Sequence, residues 1–382
     1  MKRPLEDKKV SKSLRLAKKW VIRILSDIVT LSEIPAPSDK EGEKRRRLLT
    51  LMKRMNFHTL QRDNFGNLIG VRKGRGDRKI IFTAHLDTVF HEKIDHTVRI
   101  TAERVYGPGV GDDSLGIASM LALSKILDEA KIDTDNDLIF AATVRGETDF
   151  YGMRGLMETY KNEVDYVIPV EGHGLGKLGF VSVGKIRLRI NSQVKGGESL
   201  SEFGRSNAIV VMNKVINQLL SIGLPIEPKT TLNLGVIEGG IAYNTVAPSC
   251  SLGVEISSEQ REPLLRLHHE VSEVIYNAEY DGVRLDMEEL SRCPIGGIPK
   301  THPIVKTAVE IHKFLGIETS YGVTGFEGSV PLSMGIPSIT VGITNGVNQH
   351  LVDEYIEIEP IILGLEQIIL LALSLDKREI FS

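Results

Sequence analysis

The feature that most constrains this chain is a change of hydrophobic period near Val183. Before it, runs such as Lys79-Ile-Ile-Phe-Thr-Ala, Leu138-Ile-Phe-Ala-Ala-Thr-Val and Tyr166-Val-Ile-Pro-Val are almost continuously apolar, as strands buried on both faces are. Helical patterns separate them, and that alternation argues for an α/β fold: a mostly parallel mixed sheet with helices on both faces. After it, VGKIRLRINSQV alternates apolar and polar residues, the mark of a strand with one wet face. A helix over 206–221, strands near 231–237 and 249–256, a helix over 259–278 and a strand near 283–290 then follow in the ferredoxin-like order. Helix and strand alternation resumes from His302. With 382 residues the chain exceeds the usual size of one core. The expectation is a larger domain formed by 1–182 and 295–382, with a ferredoxin-like α+β module inserted over 183–294.

Local signals fill in the larger domain. Leu14, Ala17, Trp20, Val21, Ile24 and Ile28 recur near helical spacing, which predicts an amphipathic helix over 11–31. It stops before Ile34-Pro35-Ala36-Pro37, and Ser38 is expected to cap a second helix. Arg75-Gly76-Asp77 reads as an ordinary turn between two short strands. Lys+Arg at 47 against Asp+Glu at 50 leaves no net field that would favour nucleic acid or an anionic membrane. No segment is apolar enough to span a bilayer, and the basic N-terminal stretch lacks the pattern of a signal peptide. Cys250 and Cys293 have no disulfide-framework or metal-type spacing. A reducing cytoplasm is the expected location.

Against this frame stands a row of acids and histidines: His85 and Asp87 in AHLDTV, Asp112 and Asp113 in GPGVGDDSLG, Glu147 in RGETDFYG, Glu171 in VIPVEG and His350 in NQHLVDE. Each falls where a hydrophobic strand gives way to a loop or helix, the usual place for chemistry in α/β proteins. In His-x-Asp a neutral imidazole can bind a metal while the carboxylate fixes its tautomer. Asp112 and Asp113 could cap the helix that follows. Two adjacent acids after a glycine-rich loop, however, leave costly unpaired charge without a cation.

Taken together, these segments resemble the zinc amidohydrolase and peptidase superfamily that contains acetylornithine deacetylase, succinyl-diaminopimelate desuccinylase, carboxypeptidase G, aminoacylase and tripeptide aminopeptidase. The matching stretches run from LSEIPAPSDKEGE through AHLDTV, VYGPGVGDDSLGIASML, GMRGL, VEG, VKGGES, FGRSNAI, GGIAYNTVAP and PLSMGIPSITVG to NQHLVDE. The resemblance implies that His85, Glu171 and Asp112 hold one metal and that Asp112 bridges to a second, also held by His350. It makes Glu147 the general base and Asp87 the residue that orients His85. Zn2+, one or two per chain, is the implied cofactor, with Co2+ or Mn2+ as alternatives. The inserted module would be a lid and dimerisation domain whose Asn244 contacts substrate. A homodimer acting on a small peptide or N-acyl amino acid, with no nucleic acid or membrane partner, follows from the same resemblance.

Three departures from the pattern bear on that reading. The acid expected after Glu147 is Thr148, and threonine is a poor zinc ligand. The lid histidine is replaced by Glu198 in GGES, and a carboxylate cannot stabilise an oxyanion unless protonated. The lid arginine is replaced by Ser257. The leading expectation is a metal-dependent amide hydrolase. The alternatives are a non-catalytic relative that binds a ligand in the same cleft, or a hydrolase in which Glu198 selects a cationic substrate.

Overall fold

The computed structural model describes residues 7–324 and 326–376. In chain order, α1 (Lys8–Ser32) and α2 (Gly42–Met52) precede β1 (Thr59–Arg62), β2 (Leu68–Arg72), β3 (Lys79–His85), β4 (Arg99–Ile100) and β5 (Arg104–Tyr106). Then come α3 (Gly116–Glu129), β6 (Asp137–Thr143), α4 (Tyr151–Tyr160), β7 (Val164–His173) and β8 (Lys177–Ser182). The middle of the chain forms β9 (Gly184–Val194), β10 (Gly197–Glu198), α5 (Ala208–Leu220), β11 (Thr230–Gly239), β12 (Thr245–Val246), β13 (Ser249–Ser258), α6 (Arg261–Ala278) and β14 (Val283–Cys293). The last part supplies β15 (Gly296–Gly297), α7 (Pro303–Leu315), β16 (Ser320–Val323), α8 (Ser329–Ser333), β17 (Thr340–Thr344), β18 (Gly346–Val347), β19 (Tyr355–Glu357) and α9 (Ile361–Leu375). Two compact units result, one joining the residues up to Ser182 to those from Gly296 onward, the other Val183–Ile295.

The first unit is built on a nine-stranded mixed sheet in the order β1-β2-β6-β3-β7-β17-β8-β15, with β16 beside β8. Its centre is parallel: β6, β3, β7 and β17 run the same way. β3 and β6 are apolar almost throughout because both of their faces are covered. α1 starts three residues earlier than its apolar spacing indicates, since Asp7 accepts hydrogen bonds from the Lys9 and Val10 amides at 2.8 and 3.2 Å. Its buried stripe, including Leu14, Ala17, Ile24, Ile28 and Leu31, packs against α3 and α9. α9 presses directly onto β17, and a Cβ at Gly364 would sit 2.0 Å from the Ile343 carbonyl. Only glycine allows that approach.

One local expectation fails. Ser38 does not cap α2, which begins at Gly42 with no side-chain cap. Instead the Ser38 hydroxyl donates to Asp87 at 2.5 Å. A hydroxyl ahead of a charged helix reads as a cap, but here a buried carboxylate competes for it.

The second unit is a four-stranded antiparallel sheet, β11-β13-β9-β14, covered on one side by α5 and α6. This is the ferredoxin-like topology. Ile186, Leu188 and Ile190 of β9 enter its own core, while the alternate residues reach polar partners: Arg187 to Glu255 at 3.0 Å and Asn191 to Asp286 at 2.9 Å. Among the described residues no helix is long and apolar enough to cross a membrane.

Candidate active site

The parallel strands deliver the site at their carboxyl ends, where backbone polarity is unpaired and side chains can converge. His85 is the last residue of β3, level with Thr143 at the end of β6. Glu171 lies near the end of β7, level with Gly342 of β17. Asp112 and Asp113 occupy the turn Val110–Leu115 and leave helical geometry there, with φ/ψ of −111/89 and −130/40.

That turn is held by Glu354. Its fully buried carboxylate accepts the Gly109, Gly111 and Asp112 amides at 2.7, 3.0 and 3.1 Å and meets His173 Nε2 at 2.6 Å. A Cβ on Gly111 would lie 2.3 Å from the His173 ring and 2.8 Å from Glu354, so the position admits no side chain. The result is a fixed direction for Asp112. Its Oδ1 is 2.8 Å from His85 Nε2, and its Oδ2 is 2.9 Å from His350 Nε2. Gln349 donates to the same Oδ2 at 2.7 Å. Burial opposes ionisation of Asp112, but hydrogen bonds from His350 and His85 outweigh it and hold its carboxyl far below the usual range.

His85 Nδ1 faces the Asp87 carbonyl at 2.9 Å and the Asp87 carboxylate at 3.6 Å. Asp87 also accepts the Gly146 and Glu147 amides, at 2.7 and 3.1 Å. One buried carboxylate thus touches both the imidazole and the loop that carries Glu147. Glu147 Oε2 lies 3.4 Å from His350 Nε2, while its Oε1 is buried with no protein partner. Burial raises the Glu147 pKa, against the pull of His350. Burial likewise pushes Glu171 up to about 7.

Two groups of three bring their ligand atoms within 4.8 Å of one another: His85 with Asp112 and Glu147, and His85 with Asp113 and Glu171. Asp113 is also tied to the backbone, accepting the His85 amide at 3.2 Å and the Gly116 amide at 3.1 Å. Thr148 stays in its own turn, with its hydroxyl 3.4 Å from the Arg145 carbonyl. Asp149 does not stand in for it, because Arg145 grips both its oxygens at 2.9 and 2.8 Å. Asn244, Glu198 and Ser257 belong to the second unit. Glu198 is exposed, and its carboxylate closes its own loop by accepting the Leu200 and Ser201 amides, the latter at 2.7 Å.

Three members were not singled out from the sequence, the buried Glu354 and Glu327 and the half-buried His173. Glu354 and His173 look like ordinary loop residues there. Glu327 is 2% exposed, takes a hydrogen bond from Thr143 and is pushed up to about 7 by burial. Its one signal is a lone acid in the apolar, glycine-rich GFEGSVPL. Lys44 is also fully buried with no hydrogen-bond partner for Nζ. Burial lowers its pKa to about 8, while Asp113, Asp87, Asp112 and Glu354 act in the opposite sense.

Residues 81–373 match the model of peptidase family M20/M25/M40. Acetylornithine deacetylase of Shigella sonnei is 27% identical over 317 residues, covering 78% of this chain and 79% of its own. Carboxypeptidase G2 of a Pseudomonas species is 24% identical over 202 residues, 51% of this chain and 48% of its own, so the match spans about half of that relative. Among solved structures, a Staphylococcus aureus tripeptidase superposes with a TM-score of 0.78 at 21% identity, over 94% of this chain and 99% of its own. The Saccharomyces cerevisiae di-peptidase Dug1p gives 0.81 at 11% identity, over 97% and 99%.

Proposed function

The chain belongs to peptidase family M20/M25/M40, and from that premise we propose that it is a metal-dependent hydrolase of a peptide or N-acyl amide bond. The observation that carries the reading is the Asp112 carboxylate held between His85 Nε2 and His350 Nε2, at 2.8 and 2.9 Å, with Glu147 beside it. The donors fit a divalent cation. They are imidazoles and carboxylates, the groups zinc prefers, and Glu147 Oε1 is a buried oxygen that the protein leaves unpartnered. His85 stands with Asp112 in one close group and with Glu171 in the other; we assign these three to one cation, as the resemblance implies, and Asp112 with His350 to a second, weaker one. Zinc is the proposed metal; cobalt and manganese suit the same donors.

When bound, the cation supplies Lewis acidity that polarises the scissile carbonyl and brings the pKa of water towards about 7. Glu147 then takes the proton from the attacking water and passes it to the leaving amine. Its burial-raised pKa makes it a stronger base for the first half of that transfer. Asp87 keeps His85 in one tautomer and orientation, and through the Gly146 and Glu147 amides it fixes the base relative to that ring. The names of the relatives point to small peptides or N-acyl amino acids as the substrate class. Cytoplasmic residence is proposed because neither Cys250 nor Cys293 is in a disulfide. A homodimer through Val183–Ile295 is proposed because edge strand β11 exposes Val236 and Ile237 at 58% and 57%.

Glu147→Gln tests the mechanism. Turnover of a dipeptide or N-acyl amino acid found by panel screening should fall by roughly 10² to 10⁴, with metal content unchanged by elemental analysis. Retained turnover removes Glu147 as the base.

A further inference from the structure

Glu147 lies in the stretch that joins β6, ending at Thr143, to α4, beginning at Tyr151. No ladder supplies acceptors there, so its amides need other partners. Four successive amides find them on side chains distant in sequence. Val144 donates to Asn67 Oδ1 at 3.2 Å, Arg145 to Glu41 Oε1 at 3.2 Å, and Gly146 and Glu147 to Asp87 at 2.7 and 3.1 Å. The stretch enters and leaves through non-glycine residues in the left-handed region, Arg145 at φ 58° and Phe150 at φ 59°. Such a backbone persists only where its surroundings hold it.

Asn67 differs from the other acceptors in holding both ends of the stretch. It is fully buried in the turn between β1 and β2. While Oδ1 takes the Val144 amide, Nδ2 donates to the Gly152 carbonyl at 2.9 Å and to Asp63 Oδ2 at 2.7 Å. Gly152 in turn donates its amide to the Val144 carbonyl at 3.1 Å, closing the neck of the loop beside Asn67. A Cβ on Gly152 would stand 2.3 Å from Asn67 Oδ1, so no side chain fits at this contact. The partners allow one orientation of the Asn67 amide, because the Val144 N–H can only donate and the Gly152 carbonyl can only accept. Asp63 fixes the turn itself, accepting the Phe65 and Asn67 amides at 3.0 and 2.8 Å. The position needs a donor and an acceptor on one short side chain, which aspartate lacks at neutral pH.

We propose that Asn67 is a positioning residue for the general base, clamping Val144 to Gly152 and so fixing the loop that carries Glu147. The inference rests on the reading of Glu147 as that base. Asn67 acts only through the backbone of the loop: Asp87 sets the far side of it at Gly146 and Glu147, and Asn67 sets the neck. A carboxylate that must meet water and leaving amine in turn tolerates little displacement, because proton transfer needs hydrogen-bond reach to each.

The test combines turnover with hydrogen exchange. Asn67→Ala should lower kcat for the substrate found by panel screening by about tenfold to a hundredfold, with KM and metal content unchanged. Asn67→Asp has the same size, keeps the oxygen facing Val144 and loses the donor to Gly152. It should be impaired in the same sense, and it carries the comparison if Asn67→Ala does not fold. In the Glu147→Gln background either substitution should leave the residual turnover nearly unchanged, because the group being positioned is already gone. In the metal-free protein the Val144, Gly146 and Glu147 amides should exchange faster by about tenfold or more, and those of β3 at the unsubstituted rate. Unchanged kcat, unchanged exchange of the loop amides, or a fall in turnover by the same factor in both backgrounds overturns the proposal. Retained turnover in Glu147→Gln alone removes the base and with it the role of Asn67; faster loop exchange would then mark the failure as that of the base and not of the clamp.

Discussion

Thr148 and Lys44 are the two residues whose chemistry departs most from what surrounds them. Thr148 offers no carboxylate beside the Asp112–His350 pair, so the proposed site should hold one cation firmly and a second only weakly. Thr148→Glu supplies the missing donor in a turn that is only half-buried, where a longer side chain has room. Metal content by elemental analysis should rise from about one to about two per chain; an unchanged content would show that the position does not face the second cation. Lys44 is a buried ammonium with a folded pKa of about 8 against 10.5 when exposed. A depressed lysine pKa means that the folded state disfavours the charged form, so the penalty is full below pH 8 and is relieved as pH rises towards 10.5. Lys44→Met should therefore raise stability below pH 8 by roughly 3 kcal/mol at about 1.4 kcal/mol per pKa unit, with the gain shrinking at higher pH. Urea denaturation across pH 7 to 10 reads it, and a pH-independent difference would contradict it. Sequence reasoning found the acids and histidines at the strand ends because their residue type alone implies chemistry. It passed over Lys44, since EKRRRLL reads as a solvated basic face and only packing shows which of its cations points inward.

At the scale of elements, the central strands were legible and the turns between them were not. Apolar runs such as that of β3 carry their own signal, whereas the geometry of Val110–Leu115 depends on a carboxylate more than 200 residues away in sequence. No local pattern announces that Glu354 closes this turn, just as none announces that Ser38 serves Asp87 rather than α2. The dependence can be measured. Glu354→Ala leaves the Gly109, Gly111 and Asp112 amides without their acceptor, at about 1–3 kcal/mol for each buried donor that water does not reach. Stability should fall by roughly 3 kcal/mol or more. Affinity for zinc should fall with it, because Asp112 loses its fixed direction. Glu354→Gln keeps one carbonyl oxygen and the same volume, so its cost should be distinctly smaller. Equal losses in the two variants would mean that the charge, not the acceptor geometry, organises the turn.

For the molecule as a whole, the inserted module was visible as a change of period, from continuously apolar runs to the alternation of β9. The two units have separate hydrophobic cores. Every proposed metal-binding residue, His85, Asp112, Glu171 and His350, lies in the first unit, as do Glu147 and Asp87. A ligand that binds only the folded form stabilises it by RT ln(1 + [L]/Kd), about 2.7 kcal/mol at a hundredfold excess over Kd. That stabilisation should therefore fall on one unit and not be shared by the chain. Hydrogen exchange resolves the two. On zinc loading, protection of amides in β3, β6 and β7 should increase by up to about a hundredfold in the slowest-exchanging positions, those that open only by unfolding of the whole unit. Amides of β9 and β13 should exchange at the metal-free rate. Because β7 and β3 are parallel neighbours at the centre of the sheet, their slowest amides should respond together. Equal protection across both units would show that the ferredoxin-like module unfolds only with the catalytic unit. Protection confined to β9 and β13 would place the cation in the module and overturn the assignment of the metal centre to the ends of the parallel strands.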